Sequence, residues 1–284
     1  MRIGFLGYGE AARAFHEGLA GDGRIFLAYD LKLAAVDKGM RQAMIERGAL
    51  PCDSIAALAG ADWIFSAVTA DQSLLAIEPL LPHLRQGQVV IDINSVSPDR
   101  KRETAARIEA AGGLYLDMAV MAPVHPRKHA TPILLAGADA GRLLPQLLAL
   151  GFSGAIAGDR PGAATAIKMV RSLFVKGLEA ITVETLLAAE ASGCFDEILA
   201  SIAGSFPGLG WPRFAEYQFE RTTVHGLRRS AEMRESAATL AALGLHGRLA
   251  DAVADVQEKM GEGGPAGDED LHATVRAVLA KRRA

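Results

Sequence analysis

The chain of 284 residues predicts an α/β fold, with an N-terminal doubly wound parallel sheet over residues 1–160 and an all-α C-terminal domain over residues 161–284. Three observations carry this. Up to Gly158, short apolar runs alternate with longer helical patterns, the signature of parallel strands wrapped by helices. Beyond Pro161 the strand signal fades and Ala- and Leu-rich stretches take over. The first apolar run, RIGFLG, passes directly into GYGEAA, a glycine turn that opens a helix.

Taken in order, RIGFLG, RIFLAYD, DWIFSAV, QVVIDIN and GLYLDMAV each form a short apolar run bounded by Gly, Asp or polar residues, as strands do. PILLAG and the following GAIAG region add edge strands. From Gly162 to Gly193 the composition predicts one long helix, whose helix formers outweigh the isolated Gly177 and whose end fits a glycine stop. Pro and Gly interrupt the helical pattern in SFPGLGWPRF (Ser205 to Phe214), GEGGPAGDED (Gly261 to Asp270) reads as a loop, and the terminal KRRA reads as frayed. Trp211, Tyr217 and Phe219 are expected to serve the core of the second domain.

Half of the residues are hydrophobic and 22% are charged, the composition of a packed globular protein. A net charge of -3 and a pI near 6.2 supply no general attraction to nucleic acid or anionic membrane, so the expected partner is a small molecule. Cys52 and Cys194 stand far apart and outside any CxxC pattern, which predicts free thiols and no metal site. Strand-like sequence begins at Arg2 and no apolar run reaches about 18 residues, so neither a secretory signal nor a membrane span is expected and the cytoplasm is the expected compartment.

GYGEAA places Gly7, Gly9 and Ala12 at the three small positions of a dinucleotide-binding fingerprint. Gly7 permits the tight turn, Gly9 lets a pyrophosphate approach the backbone, and Ala12 lets the new helix pack on the sheet. Tyr8, Glu10 and Ala11 complete the loop, and the helix start offers unpaired N–H groups to phosphate. Asp30 closes the second strand, where a carboxylate accepts hydrogen bonds from an adenosine ribose and repels a 2′-phosphate. This predicts a Rossmann domain that binds NAD. Lys32 partly offsets the repulsion and keeps NADP as the alternative. Val68 and Thr69, after the DWIFSA strand, and Asn94 and Ser95, after QVVIDI, are assigned to the same cofactor lining.

With the fingerprint at residue 7, the chain resembles the beta-hydroxyacid dehydrogenase superfamily, which includes 3-hydroxyisobutyrate, tartronate semialdehyde and 6-phosphogluconate dehydrogenases. DINSVSP (Asp92 to Pro98) is similar to the family's DxSTxxP segment near the nicotinamide. YLDMAVMAP (Tyr115 to Pro123) is similar to the substrate-side DAPVSGG segment, with Met121 and Ala122 at substrate positions. GAATAIKMVRS resembles the interdomain helix, with Lys168 at the place of the catalytic lysine. Position 172 is serine where the family has asparagine, and Ala122 and Pro123 replace a glycine pair. A variant group with a distinct helical C-terminal domain and a KMxRSxxxKG-like helix is the nearer match. The resemblance implies an NAD(P)-dependent dehydrogenase acting on a CH–OH group, and a homodimer packed through its helical domains.

The chemistry fits that implication. Hydride transfer from a hydroxyl carbon needs a group to take the hydroxyl proton, and Lys168 can do so once desolvation and a cationic nicotinamide lower it from its free value of about 10.4. On a helix Lys168, Arg171, Ser172 and Lys176 project to one side, a cationic face for a small anionic organic substrate. Ser95, Arg171 and Ser172 are the expected substrate contacts. His125, Arg127, Lys128 and His129 form a basic Pro-flanked loop read as surface, with His125 the alternative acid-base group. Two other functions share this architecture: an imine reductase, against which Lys168 argues, and a non-catalytic dinucleotide-binding module.

Overall fold

The computed structural model describes residues 1–21, 23–34, 39–264 and 270–283. In chain order the elements are β1 (Arg2–Leu6), α1 (Glu10–Leu19), β2 (Ile25–Tyr29), α2 (Gly39–Glu46), β3 (Ala49–Pro51), α3 (Ile55–Leu58), β4 (Trp63–Ser66), α4 (Ser73–Ile77), β5 (Val89–Asp92), α5 (Pro98–Ala110), β6 (Leu114–Val120), β7 (Pro132–Ala136), α6 (Ala140–Ala149), β8 (Ser153–Gly158) and α7 (Ala163–Ala191). Four helices follow: α8 (Phe195–Ser205), α9 (Arg213–Ala242), α10 (Arg248–Glu262) and α11 (Leu271–Arg283). The expected loop Gly261 to Asp270 lies partly outside the described residues, at 265–269.

Alternate residues of the central strands feed two separate cores. Ile3, Phe5, Trp63, Phe65, Val89 and Ile91 belong to one, while Leu6, Ile64 and Val90 belong to the other. Strands buried on both faces must be covered by helices on both faces, which explains their nearly continuous apolar sequence. The sheet order is β3-β2-β1-β4-β5-β6-β7-β8. The first six of these strands run parallel, with the order reversing between β1 and β4, so a crevice opens at their carboxyl ends. The sequence reading missed β3, whose three residues are too short for a periodic signal. The two edge strands expected from PILLAG and the GAIAG region are β7 and β8, for which the sequence predicts no direction: β7 pairs antiparallel with β6, and β8 runs parallel to β7. No crossover helix joins β6 to β7, so the chain simply turns back.

The chain divides into two compact units, Met1–Lys168 and Met169–Ala284. The division falls inside α7 rather than ahead of it at residue 160. That helix ends as its glycine suggests: Gly193 has φ +69°, its N–H donates to the Glu190 carbonyl, and the Cys194 N–H donates to the Ala189 carbonyl.

In the second unit, Val183, Leu186, Phe195, Phe219 and Val275 pack in one core with Trp211 at its margin, while Tyr217 is half exposed on α9. The contact of α9 with α10 depends on two glycines. A Cβ at Gly226 would stand 2.1 Å from the Gln257 carbonyl oxygen, and one at Gly261 would stand 2.5 Å from the Leu227 nitrogen. Large apolar side chains remain exposed on α7 (Val170, Phe174, Ile181) and on α9 (Val224, Leu227). Among the described residues no helix is long and apolar enough to cross a membrane.

Beneath the first glycine turn, the Tyr8 hydroxyl and His16 Nδ1 lie 2.5 Å apart, both buried among Phe5 and Phe26. Burial, aided by the Arg47 charge, lowers the His16 pKa to about 4. Its folded pKa is depressed below the unfolded value near 6.5, so the unfolded chain binds the extra proton. His16 therefore subtracts stability progressively as pH falls from about 6.5 to 4. Thermal melts across that window should show a decline that is shallower in His16→Gln, and identical slopes would contradict the assignment.

Candidate active site

Five loops meet at the carboxyl edge of the parallel strands, and each carries expected site residues. After β1, Gly7 has φ +85°, and a Cβ there would stand 2.5 Å from the Ala67 carbonyl oxygen, so this position demands glycine twice over. Gly9 is exposed and precedes α1 with no side-chain cap, and nothing lies within 4 Å of where its Cβ would be. That open cradle before uncapped helix N–H groups fits a pyrophosphate. Ala12 is fully buried against the sheet, Glu10 is exposed and Ala11 half-buried. The Tyr8 side chain is turned into the core, so only its backbone lines the loop.

Asp30, just past β2, clasps the loop: one carboxylate oxygen accepts the Tyr8 N–H at 2.8 Å and the other the Lys32 N–H at 2.9 Å. The group is part-exposed, and each oxygen keeps a second lone pair for a ribose hydroxyl. Lys32 itself is exposed. After β4, Val68 is half-buried and Thr69 exposed. Asn94, after β5, braces these loops rather than facing outward: its Oδ1 accepts the Val68 N–H at 2.7 Å and its Nδ2 donates to Ser66 Oγ at 2.9 Å.

Ser95 and Lys168 come together although far apart in sequence. The Lys168 ammonium donates to Ser95 Oγ at 2.6 Å, and both are part-buried. Under them lies an ionic group the sequence reading did not find. Asp92 and Asp117 are paired residues of β5 and β6, and the wholly buried Lys101 reaches both, 2.9 Å from Asp92 Oδ1 and 3.4 Å from Asp117 Oδ1. Tyr115 donates to Asp92 Oδ2 at 2.8 Å; burial, with both aspartates beside it, holds its pKa well above the ordinary 10 and keeps it a donor. The available signal was an aspartate at matching places in QVVIDIN and GLYLDMAV.

The other expected residues separate. Met121 is half-buried and Ala122 exposed after β6. His125 and Arg127 are exposed, while Lys128 bonds Glu17 at 2.7 Å, holding that carboxyl below its usual range, and His129 packs so closely that a Cβ at Gly18 would meet it at 2.0 Å. In the second unit Arg171 is exposed, but the expected cationic face does not form. Ser172 is buried and accepts from Lys176 at 3.3 Å, and Lys176 is neutralised by Glu232 at 2.9 Å. A helix charge without a solvent route needs such a partner. Among the described residues no cluster could hold a metal ion, and Cys52, buried, has its thiol pKa raised by burial.

Residues 189–260 match a domain of unknown function, DUF1932. A crystal structure of a conserved hypothetical protein from Sinorhizobium meliloti 1021 is 34% identical, covering 99% of this chain and 96% of that one with a TM-score of 0.76. The 2-(hydroxymethyl)glutarate dehydrogenase of Eubacterium barkeri is 25% identical over 77% of this chain and 73% of its own length. The NAD-dependent L-serine dehydrogenase of Pseudomonas aeruginosa is 26% identical over 74% and 71%. Residues 2–149, just over half of the chain, match the NAD binding domain of 6-phosphogluconate dehydrogenase, and the protein belongs to that family.

Proposed function

We propose that the protein is an NAD-dependent dehydrogenase that interconverts a small hydroxy acid and its oxo form, with Lys168 as the group that carries the hydroxyl proton. The observation that carries this reading is the 2.6 Å contact between Lys168 Nζ and Ser95 Oγ, beside the carboxyl ends of the strands. The two dehydrogenases among its relatives support the substrate class, since both names denote acids that bear a hydroxyl group.

NAD, when bound, supplies the carbon that accepts or returns the hydride. Gly7, Gly9, Ala12 and the start of α1 would hold its pyrophosphate, and Asp30 its ribose. In the oxidising direction a neutral Lys168 takes the hydroxyl proton as the hydride leaves carbon; in the reducing direction its ammonium returns it. Ser95 fixes the direction of the Lys168 side chain, which matters because proton transfer requires the two heavy atoms within hydrogen-bond reach. Asn94 keeps the loops after β4 and β5 in register. Arg171, exposed on the next turn of α7, is the proposed partner for the substrate carboxylate. The helical unit is proposed to pair with a second copy through the exposed apolar side chains of α7 and α9.

Three outcomes test this. In fluorescence titration NADH should bind more tightly than NADPH, and Asp30→Ala should narrow the gap; equal affinities in the wild type would refute the role of Asp30. With a panel of hydroxy acids, Lys168→Ala should lower kcat by about a hundredfold or more at unchanged NAD affinity, and Lys168→Arg nearly as far because arginine cannot give up its proton. Turnover of cyclic imines alone, or a fully active Lys168→Ala, would overturn the reading. Light scattering at micromolar concentration should give twice the mass of one chain, 29.9 kDa, and a monomer mass would remove the pairing.

A further inference from the structure

We propose that Lys101, Asp117 and Thr165 form a clamp that positions Lys168 against Ser95, making them positioning residues for the proton transfer; this rests on the reading of Lys168 given above. The argument begins in the sheet. The register of β5 and β6 sets Asp92 directly beside Asp117, and both side chains are 0% exposed. Two like charges side by side in the interior require a cation, and a lysine is almost never fully buried unless it is paired. Lys101, in the first turns of α5, meets that need. It also donates to the Asp92 backbone carbonyl at 2.8 Å, so the ammonium is held by both strands.

Each aspartate then controls one side of the catalytic pair. Asp92 Oδ1 accepts the Asn94 N–H at 2.9 Å, which shapes the turn that presents Ser95. Asp117 Oδ2 accepts the N–H groups of Gly162 and Thr165, each at 3.1 Å, and its Oδ1 accepts the Thr165 hydroxyl at 2.8 Å. These are donors at the start of α7 that have no partner within their own helix, and a carboxylate there is favoured by the helix dipole. Gly162, at φ +91°, approaches the start of α5 so closely that a Cβ would stand 2.8 Å from the Pro98 carbonyl oxygen. Lys168 lies one turn after Thr165 on the same helix. The two ends of the 2.6 Å contact are thus each tied to one aspartate, and Lys101 ties the aspartates together.

Lys101→Met strips the cation from two buried carboxylates and threatens the fold, so Thr165→Val and Thr165→Ser are the sharper variants: both keep the backbone, and only serine keeps the hydroxyl. With NAD and a hydroxy-acid substrate, Thr165→Val should lower kcat about tenfold while leaving NAD affinity within about twofold, and Thr165→Ser should restore most of the loss. In a Ser95→Ala background, where the positioned contact is already gone, Thr165→Val should cost less than about threefold. A wild-type kcat in Thr165→Val, or a loss equally large in both backgrounds, would overturn the clamp. A readout independent of turnover separates this from the role of Lys168 itself. The 15N resonance of Lys168 Nζ, identified by its disappearance in Lys168→Ala, should titrate about half a unit or more away from wild type in Thr165→Val. An unchanged titration overturns the clamp; a fully active Lys168→Ala overturns only the proton-transfer reading.

Discussion

The pairing of β5 with β6 puts two carboxylates on one spot of a sheet that water does not reach, and the chain around the candidate site is arranged to satisfy them. Asp92 and Asp117 between them take up donors from Lys101, Tyr115, Asn94, Gly162 and Thr165. An apolar pair in their place would cost less desolvation. What it would lack is direction. A hydrogen-bonded carboxylate fixes where the loop after β5 turns and where α7 begins, and these are the two segments that bring Ser95 and Lys168 within 2.6 Å.

The cofactor end uses backbone donors in a similar way. Asp30 binds the N–H groups of Tyr8 and Lys32, so the group expected to read a ribose also holds the glycine loop against the end of β2. The Gly7 N–H bonds the Tyr29 carbonyl at 2.8 Å, and the buried Tyr8 ring anchors the loop from below through His16. A loop fixed from three sides loses little conformational freedom when a ligand arrives, which leaves more of the contact energy for binding. Removal of Asp30 would therefore loosen the loop as well as take away the acceptor proposed for the ribose.

The fold was legible where periodicity and punctuation agree. Both-face burial of the central strands gave continuous apolar runs, the GYGEAA turn marked the first helix, and Gly193 marked the end of α7. β3 escaped because three residues carry no period, and the reversal at β7 escaped because an apolar run has no direction. In the site, Lys168 and Ser95 were legible through their motifs. Lys101 was not: in the helix PDRKRETAARIEA it looks like its two basic neighbours, Arg100 and Arg102, and only the fold shows that Lys101 points inward while Arg102 lies outside, bonded to Asp99. Asn94 and Tyr8 stand on the loops after β5 and β1, where their side chains brace the chain. Ser172 and Lys176 satisfy each other and Glu232, a pairing across helices that no local spacing reveals.

The same helix shows what such pairings do for the setting of a helix. Thr165, Lys168, Ser172, Lys176 and Glu179 follow one another at spacings of three and four, so they form a single polar stripe along α7. Each unit holds its own part of that stripe: in the first Asp117 bonds Thr165, and in the second Glu232 bonds Lys176 and Arg229 with Gln257 bonds Glu179. A second stripe through Val170, Phe174 and Ile181 is apolar and exposed. Within the second unit, a turn of the helix about its axis would break the Lys176–Glu232 and Glu179–Arg229 pairs together, and each broken pair leaves a charge without its partner, which is far costlier than the pair was stabilising. The apolar stripe, whose contacts are non-directional, could not impose that penalty. Within the second unit the angular setting of α7 is therefore fixed by paired charges rather than by packing alone, and within the first unit Asp117 fixes the start of the helix that carries Lys168.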